Sequence, residues 1–209
     1  MAIPDISLEK SFWKKGFVNI AGVDEAGKGP WAGPVTAAAV IIHSDKQVVS
    51  LVRDSKIMTK IQREKAFEKI IKNSSAFGIG IVSEKIIDAV GIQKAVKKAM
   101  KLALSNMRSK FGLKISYILV DGSKTLPLRK KNIQRIKRGG IYHYCIAAAS
   151  VLAKVIRDRM MKKIAKKYPK YGFEKHVGYG TKLHIRALKA YGISPIHRKS
   201  FAPIKNLIE

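Results

Sequence analysis

Apolar and polar positions along the chain follow two rhythms. Runs at 17–20, 35–42, 76–82 and 115–120 are short, rich in Val, Ile and Ala, and bounded by Gly, Pro, Ser or Asn. Such runs read as β-strands, several buried on both faces. A fifth run, 141–146, reads the same way. Elsewhere the spacing is helical. Thr59 with Gln62 three residues later fits a capping box, and Ala66, Phe67, Ile70 and Ile71 follow on one face before Asn73 and Ser74 stop the helix. After residue 83 two helical stretches are separated near Gly91, the longer presenting Val96, Met100, Ala103 and Met107 on one side. A long helix is predicted over about 148–167 and a short one over about 181–190. Residues 1–15 support no more than an amphipathic turn around Phe12 and Trp13. Gly78 and Gly80 alternate within the third strand, which predicts that another element packs closely there.

Strands mixed with helices place the chain in the α/β class, where functional groups gather at the carboxyl ends of strands. Two strands here lead into acids. The first leads to Asp24 and Glu25, followed by a loop with Gly27, Gly29, Gly33, Pro30 and Pro34; the fourth leads to Asp121 and Gly122. Burying carboxylates without partners is costly, so acids at the ends of apolar strands point to a metal or catalytic site. The plain alternative is a hairpin with a polar mouth. Neighbours on a strand face opposite ways, so Asp24 and Glu25 can share a site only if the strand ends or twists there. A third acid comes from the long helix. At about 100° per residue, Asp158 shares a stripe with Val151 and Val155 and faces inward. Lys154 stands one turn earlier, so an intrahelical ion pair worth a few tenths of a kcal/mol is the competing explanation. Residues 22–28 also imitate the start of a phosphate-binding loop, but Gly29 stands where Ser or Thr should hold magnesium, and two acids lie inside the loop.

Charge changes the picture. The 209 residues carry 42 Lys and Arg against 14 Asp and Glu, a formal charge of +28 spread along the whole chain, with a basic linker over 124–138. A polyanionic partner is expected, nucleic acid first. An apolar content of 46% argues for one domain with a full core. The single Cys145 excludes an internal disulfide, no run is long enough to span a membrane, and no signal peptide is visible, so a cytoplasmic protein is expected. Tyr171, Phe173 and Tyr179 lie among basic residues and glycines, a composition that suits stacking on bases or sugars; for Tyr171 and Phe173 ordinary loop packing explains it at least as well, whereas Tyr179, between two glycines, is harder to explain that way.

Together, the motifs Ala21-Gly22-Val23-Asp24-Glu25-Ala26-Gly27-Lys28-Gly29-Pro30, Asp54-Ser55-Lys56, Val120-Asp121-Gly122, the stretch 148–159 ending in Arg157-Asp158-Arg159, Tyr171-Gly172-Phe173, His176 to Thr181 and His197 to Pro203 resemble ribonuclease HII, the type 2 ribonuclease H family. The resemblance covers nearly the whole chain. It implies an RNase H-like mixed five-stranded sheet, an antiparallel meander with the fourth strand parallel beside the first, flanked by helices and followed by a C-terminal helical region from about 168. It implies two Mg²⁺ or Mn²⁺ ions held by Asp24, Glu25, Asp121 and Asp158. It implies an endonuclease that cuts the RNA strand of RNA/DNA hybrids and nicks on the 5′ side of a ribonucleotide embedded in DNA. Gly27, Lys28 and Gly29 occupy the family's Gly-Arg-Gly reading motif, with Tyr179 as its aromatic partner. Lys28 departs from the usual Arg, offering a point charge in place of a planar fork. Ser55, Lys56 and Lys154 complete the expected substrate contacts, and a monomer is expected. A junction resolvase on the same scaffold and a non-catalytic nucleic-acid-binding protein are the rival readings.

Overall fold

The computed structural model describes residues 2–122 and 132–207; the first part of the expected basic linker, 124–131, and the last two residues of the C-terminal tail lie outside the described residues, and the rest of that linker is not irregular but contains the last strand. Five strands form one sheet in the order β3-β2-β1-β4-β5. They are β1 Ile20–Ala26, β2 Val35–Ile41, β3 Ala76–Val82, β4 Tyr117–Asp121 and β5 Ile133–Ile136. β1, β2 and β3 make the antiparallel meander, and β4 runs parallel to β1, with β5 parallel beside it. The helices are α1 Ser7–Lys14, α2 Lys60–Asn73, α3 Glu84–Val90, α4 Ile92–Phe111, α5 Gly139–Tyr142, α6 Tyr144–Lys167, α7 Phe173–His176, α8 Lys182–Tyr191 and α9 Ala202–Lys205.

The sheet is sandwiched because β2 is apolar on both sides. Ala37, Ala39 and Ile41 join the core beneath α4, while Ala38 and Val40 join the core beneath α6 and α2. Small residues allow close approach on the α4 side. A Cβ at Gly78 or Gly80 would run into the carbonyls of Ala103 or Ala99 on α4. The capping box at Thr59 is formed, with the Gln62 amide donating to the Thr59 hydroxyl and the Gln62 side chain accepting from the Thr59 amide.

Three expectations are corrected. β1 begins at Ile20 and runs to Ala26, so Asp24 and Glu25 lie within the strand and not beyond its end. The run 141–146 is not a strand; it forms the end of α5 and the first turn of α6. Tyr144, Cys145 and Ile146 are buried while Tyr142 is exposed, and so short an apolar run has no period by which to tell strand from helix. The fifth strand is β5, whose Gln134 and Arg135 are exposed. An edge strand with one pairing partner does not need an apolar sequence. The N-terminal segment also holds more than a turn: α1 has eight residues, and its buried Glu9 accepts a hydrogen bond from the Cys145 amide in the first turn of α6 (3.0 Å). Among the described residues, no helix is long and apolar enough to cross a membrane.

Candidate active site

Parallel pairing brings two acids side by side. Val23 of β1 is opposite Val120 of β4, and the next residue on each strand is an acid, Asp24 and Asp121. Asp24 follows the alternation of Gly22, which abuts the Cys145 backbone at the start of α6. Its carboxylate accepts a hydrogen bond from the Glu25 amide (2.8 Å). Burial drives the Asp24 pKa well above the ordinary carboxylate range, and repulsion from Glu25 and Asp121 pushes the same way. A hydrogen bond from the Ser150 hydroxyl of α6 pulls it back. Glu25 is raised as well, first by burial and also by Asp121, while Lys28 and Lys56 draw it down. Asp121 accepts from the Gly139 amide at the start of α5 (3.0 Å).

The fourth predicted acid stands apart from this mutual repulsion. Asp158 is half-buried, as its stripe on α6 required, but Oδ1 accepts from the Lys154 ammonium at 2.7 Å and Oδ2 lies 3.8 Å from the Arg63 guanidinium. The intrahelical pair weighed as the alternative is therefore present. Among the described residues, no three His, Cys, Asp or Glu side chains converge into a metal-binding group. The donors themselves suit a hard divalent cation, being carboxylate oxygens with like charges crowded at Asp24, Glu25 and Asp121. A cation there would offset both the repulsion and the cost of burial.

The glycine loop after β1 is held from beneath by two fully buried arginines. From α6, Arg157 donates to the carbonyls of Pro34 (3.0 Å), Val177 (3.0 Å) and Ala32 (3.1 Å). From the C-terminal segment, Arg198 donates to Gly33 (2.9 Å), Lys28 (3.2 Å), Gly27 (2.6 Å) and Pro34 (3.2 Å). Among the described residues, neither guanidinium has a carboxylate in ion-pair contact. Burial lowers the Arg157 pKa to about 10, and burial followed by repulsion from Arg157 lowers Arg198 to about 9. Gly27 adopts φ +92°, and a side chain there would strike Arg157. The loop carbonyls thus turn inward, while Lys28 and Gly29 are exposed. Neither arginine was singled out from the sequence. In a chain this basic nothing local separates a buried Arg from a surface one, although Arg157 lies next to Asp158 on a largely buried helix.

The structure brings the predicted aromatic residue, Tyr179, beside the glycine loop. The Tyr179 ring lies beside Gly29, 3.7 Å from where a Cβ would sit, and Tyr179 is 45% exposed. Its segment is tied to the loop by hydrogen bonds from the Trp31 amide to Gly178 (2.8 Å) and from the Gly33 amide to Ile196 (2.9 Å). Underneath, His176 and His184 stack at 4.4 Å, and the Nε2 atoms of His184 and His197 lie 2.9 Å apart. Burial lowers the pKa of His184 and of His197 to about 4. Tyr171 and Phe173 are buried and stacked on each other, so loop packing is their role. Lys56 is exposed near Glu25, whereas Ser55 is buried and shares a hydrogen bond with Ser150 (2.8 Å). That link places Ser55 behind Asp24. Ser150, part of the quoted 148–159 stretch but not picked out, is the other residue the sequence reading missed.

A family model described as ribonuclease HII matches residues 21–204. The ribonuclease HII of Bacillus cereus (strain Q1) is 45% identical over 201 residues, covering 96% of this chain and 76% of that protein. Among solved structures, ribonuclease H2 from Pyrococcus horikoshii OT3 is similar with a TM-score of 0.74 at 27% identity, over 90% of this chain and 96% of that one. Bst-RNase HIII in complex with Mn²⁺ shares the fold with a TM-score of 0.67 at 16% identity, over 91% of this chain and 69% of that one.

Proposed function

The chain belongs to the ribonuclease HII family and is a metal-dependent endoribonuclease of the ribonuclease H class, and from that premise we propose that Asp24, Glu25 and Asp121 are its catalytic acids and that it nicks duplex DNA on the 5′ side of an embedded ribonucleotide as well as cutting RNA/DNA hybrids. The observation that carries this reading is the placement of Asp24 and Asp121 side by side on adjacent parallel strands, each just past the Val23–Val120 pair and repelling the other, beside a glycine loop clamped from within.

Two Mg²⁺ or Mn²⁺ ions, when bound, would activate the attacking water and stabilise the leaving 3′-oxygen. Asp24, Glu25 and Asp121 would hold them, with Ser150 and the Glu25 amide orienting Asp24 and the Gly139 amide orienting Asp121. Asp158 is proposed as the fourth acid; to join the others it must give up Lys154 and Arg63. The Arg157 and Arg198 clamp holds the loop so that its exposed part around Lys28 and Gly29 can meet the 2′-hydroxyl that distinguishes RNA from DNA. Tyr179, beside Gly29, would stack on the adjoining sugar. Lys28 and Lys56, already drawn to Glu25, would bind phosphates. The same reading takes the protein as a cytoplasmic monomer acting on nucleic acid.

The test is incubation with a DNA duplex carrying one ribonucleotide and Mg²⁺ or Mn²⁺, with the nick mapped. A cut on the 5′ side of the ribonucleotide, leaving a 3′-hydroxyl and a 5′-phosphate, is expected. Cleavage of an all-DNA four-way junction with no ribonucleotide dependence, or no cleavage with either metal, overturns the reading.

A further inference from the structure

Asp24 faces α6, and the far side of the sheet is covered by α4. That helix carries a surface that the proposed site does not use. Its inner side, with Ala95, Ala99 and Ala103, packs onto the sheet. Its outer side contains no acid, for none of its 20 residues is Asp or Glu. At about 100° per residue, Lys94, Lys97, Lys98, Lys101 and Arg108 fall within an arc of about 100°. Lys97 is half-buried and the other four are exposed. Among the described residues, none of the five is in an ion pair.

Such a stripe is unfavourable in isolation. Lys94 repels Lys97 and Lys98, and Lys101 repels both of those, all at the three- and four-residue spacings where side chains meet. A polyanion laid along the helix relieves that repulsion. From Lys94 to Arg108 the axis runs about 21 Å, which matches about six base-pair steps of duplex. The apolar side of α4 is committed to the core, so the helix has nothing to insert into a lipid surface. The sheet lies between this stripe and Asp24, and DNA is straight on this length scale, so one duplex does not reach both.

We propose that the outer face of α4 is a second nucleic-acid-binding surface, which grips the phosphate backbone of a duplex segment other than the one at the active site. The proposal rests on the reading of the protein as a ribonuclease H and adds to it a means of holding two segments at once.

The test compares the parent protein with the triple variant Lys94→Glu, Lys98→Glu, Lys101→Glu. Nicking of a ribonucleotide-containing duplex of about one helical turn should stay within about twofold, which also shows that the variant folds. Capture of a long all-DNA duplex by a second, bead-bound duplex through the protein should be lost. The slope of log affinity against log salt on the long duplex should become shallower by about 3. The milder Lys94→Ala, Lys98→Ala, Lys101→Ala variant, which favours the helix, should move capture and slope in the same direction. Unchanged capture and slope overturn the proposal, as does an equal loss of short-duplex nicking by both folded variants, which would make the stripe part of one substrate groove. Retention by anionic phosphatidylglycerol vesicles that the reversal abolishes, with DNA capture intact, overturns it in favour of a membrane. A parent that captures DNA but ignores ribonucleotides sinks the functional reading and leaves this surface standing.

Discussion

Two neighbouring regions at the end of β1 both bury charge, and they handle it in opposite ways. Under the loop over 27–34, two guanidiniums are surrounded by carbonyl oxygens, with seven of their ten N–H groups donated by Arg157 and Arg198 to Gly27, Lys28, Ala32, Gly33, Pro34 and Val177. A few residues earlier, Asp24, Glu25 and Asp121 repel one another, with only backbone amides, a hydroxyl and outlying lysines in compensation. The first region is finished within the fold. The second is left at high energy, and an external cation would complete it. A rigid loop beside a poorly compensated acid cluster is the usual trade between stability and activity, here divided between adjacent segments.

Removing an acid should separate the two properties most strongly. Asp24→Asn or Asp121→Asn should lower cleavage by at least about 10²-fold while duplex affinity, measured by anisotropy, holds. Without metal, Asp24→Asn should also raise the melting temperature at neutral pH. The sign follows from the raised pKa: a carboxyl that binds its proton more tightly when folded weakens the fold once pH exceeds its ordinary value of 3.8. The gain should therefore fade in acid. Mg²⁺ or Mn²⁺ should raise the melting temperature of the parent and have less effect on the variant, whatever the activity. Near-parental turnover in either Asn variant would remove the acid cluster from the chemistry.

The clamp should respond in the reverse sense. Arg198→Met strands the carbonyls of Gly27, Lys28, Gly33 and Pro34 and should cost about 3–5 kcal/mol, a melting shift of about 10 °C. Arg198→Lys should not restore it, because an ammonium cannot fork to several carbonyls. Full rescue by Lys would show that charge alone is required. A smaller effect is expected from the imidazoles behind the loop. His184 and His197 have pKa values of about 4 in the fold against an ordinary 6.5, so their neutral forms are favoured by folding. That contribution is complete above 6.5 and is lost as pH falls toward 4. Stability should therefore fall as pH drops from 7 to 5, and His184→Asn should flatten the melting-temperature profile over that range. A parent profile flat from pH 7 to 5 would contradict the burial of the pair. The smallest effect is expected at the exposed rim. Tyr179→Ala should slow nicking at a single embedded ribonucleotide by about tenfold and long hybrids less, consistent with one lost stacking contact. Equal losses on both substrates would argue against a role in reading the junction.

The periodic parts of this fold were readable because their physics is local. A capping box at Thr59, alternating glycines at Gly78 and Gly80 and a break at Gly91 each act over a few residues, and each element appears where the spacing placed it. Reading failed where one short apolar run straddles the end of one helix and the start of the next, as at 141–146, and where an edge position removes the need for apolar residues, as in β5. Asp24, Glu25 and Asp121 lie near enough to repel one another, though they do not converge into a metal-binding group among the described residues. The fourth was legible as inward-facing, but its spacing could not show that Lys154 and Arg63 would hold it.

Local spacing along the chain was enough to establish the α/β class, most of the elements, the acids worth attention and the family. It could not establish which charges would be answered and which left open, because those answers come from contacts between distant positions. Arg198 meets Gly27 across 171 residues, Arg157 meets Ala32 across 125, and Ser150 meets Ser55 across 95. A residue's spacing tells which way it faces; the partner waiting there depends on how the whole chain has closed.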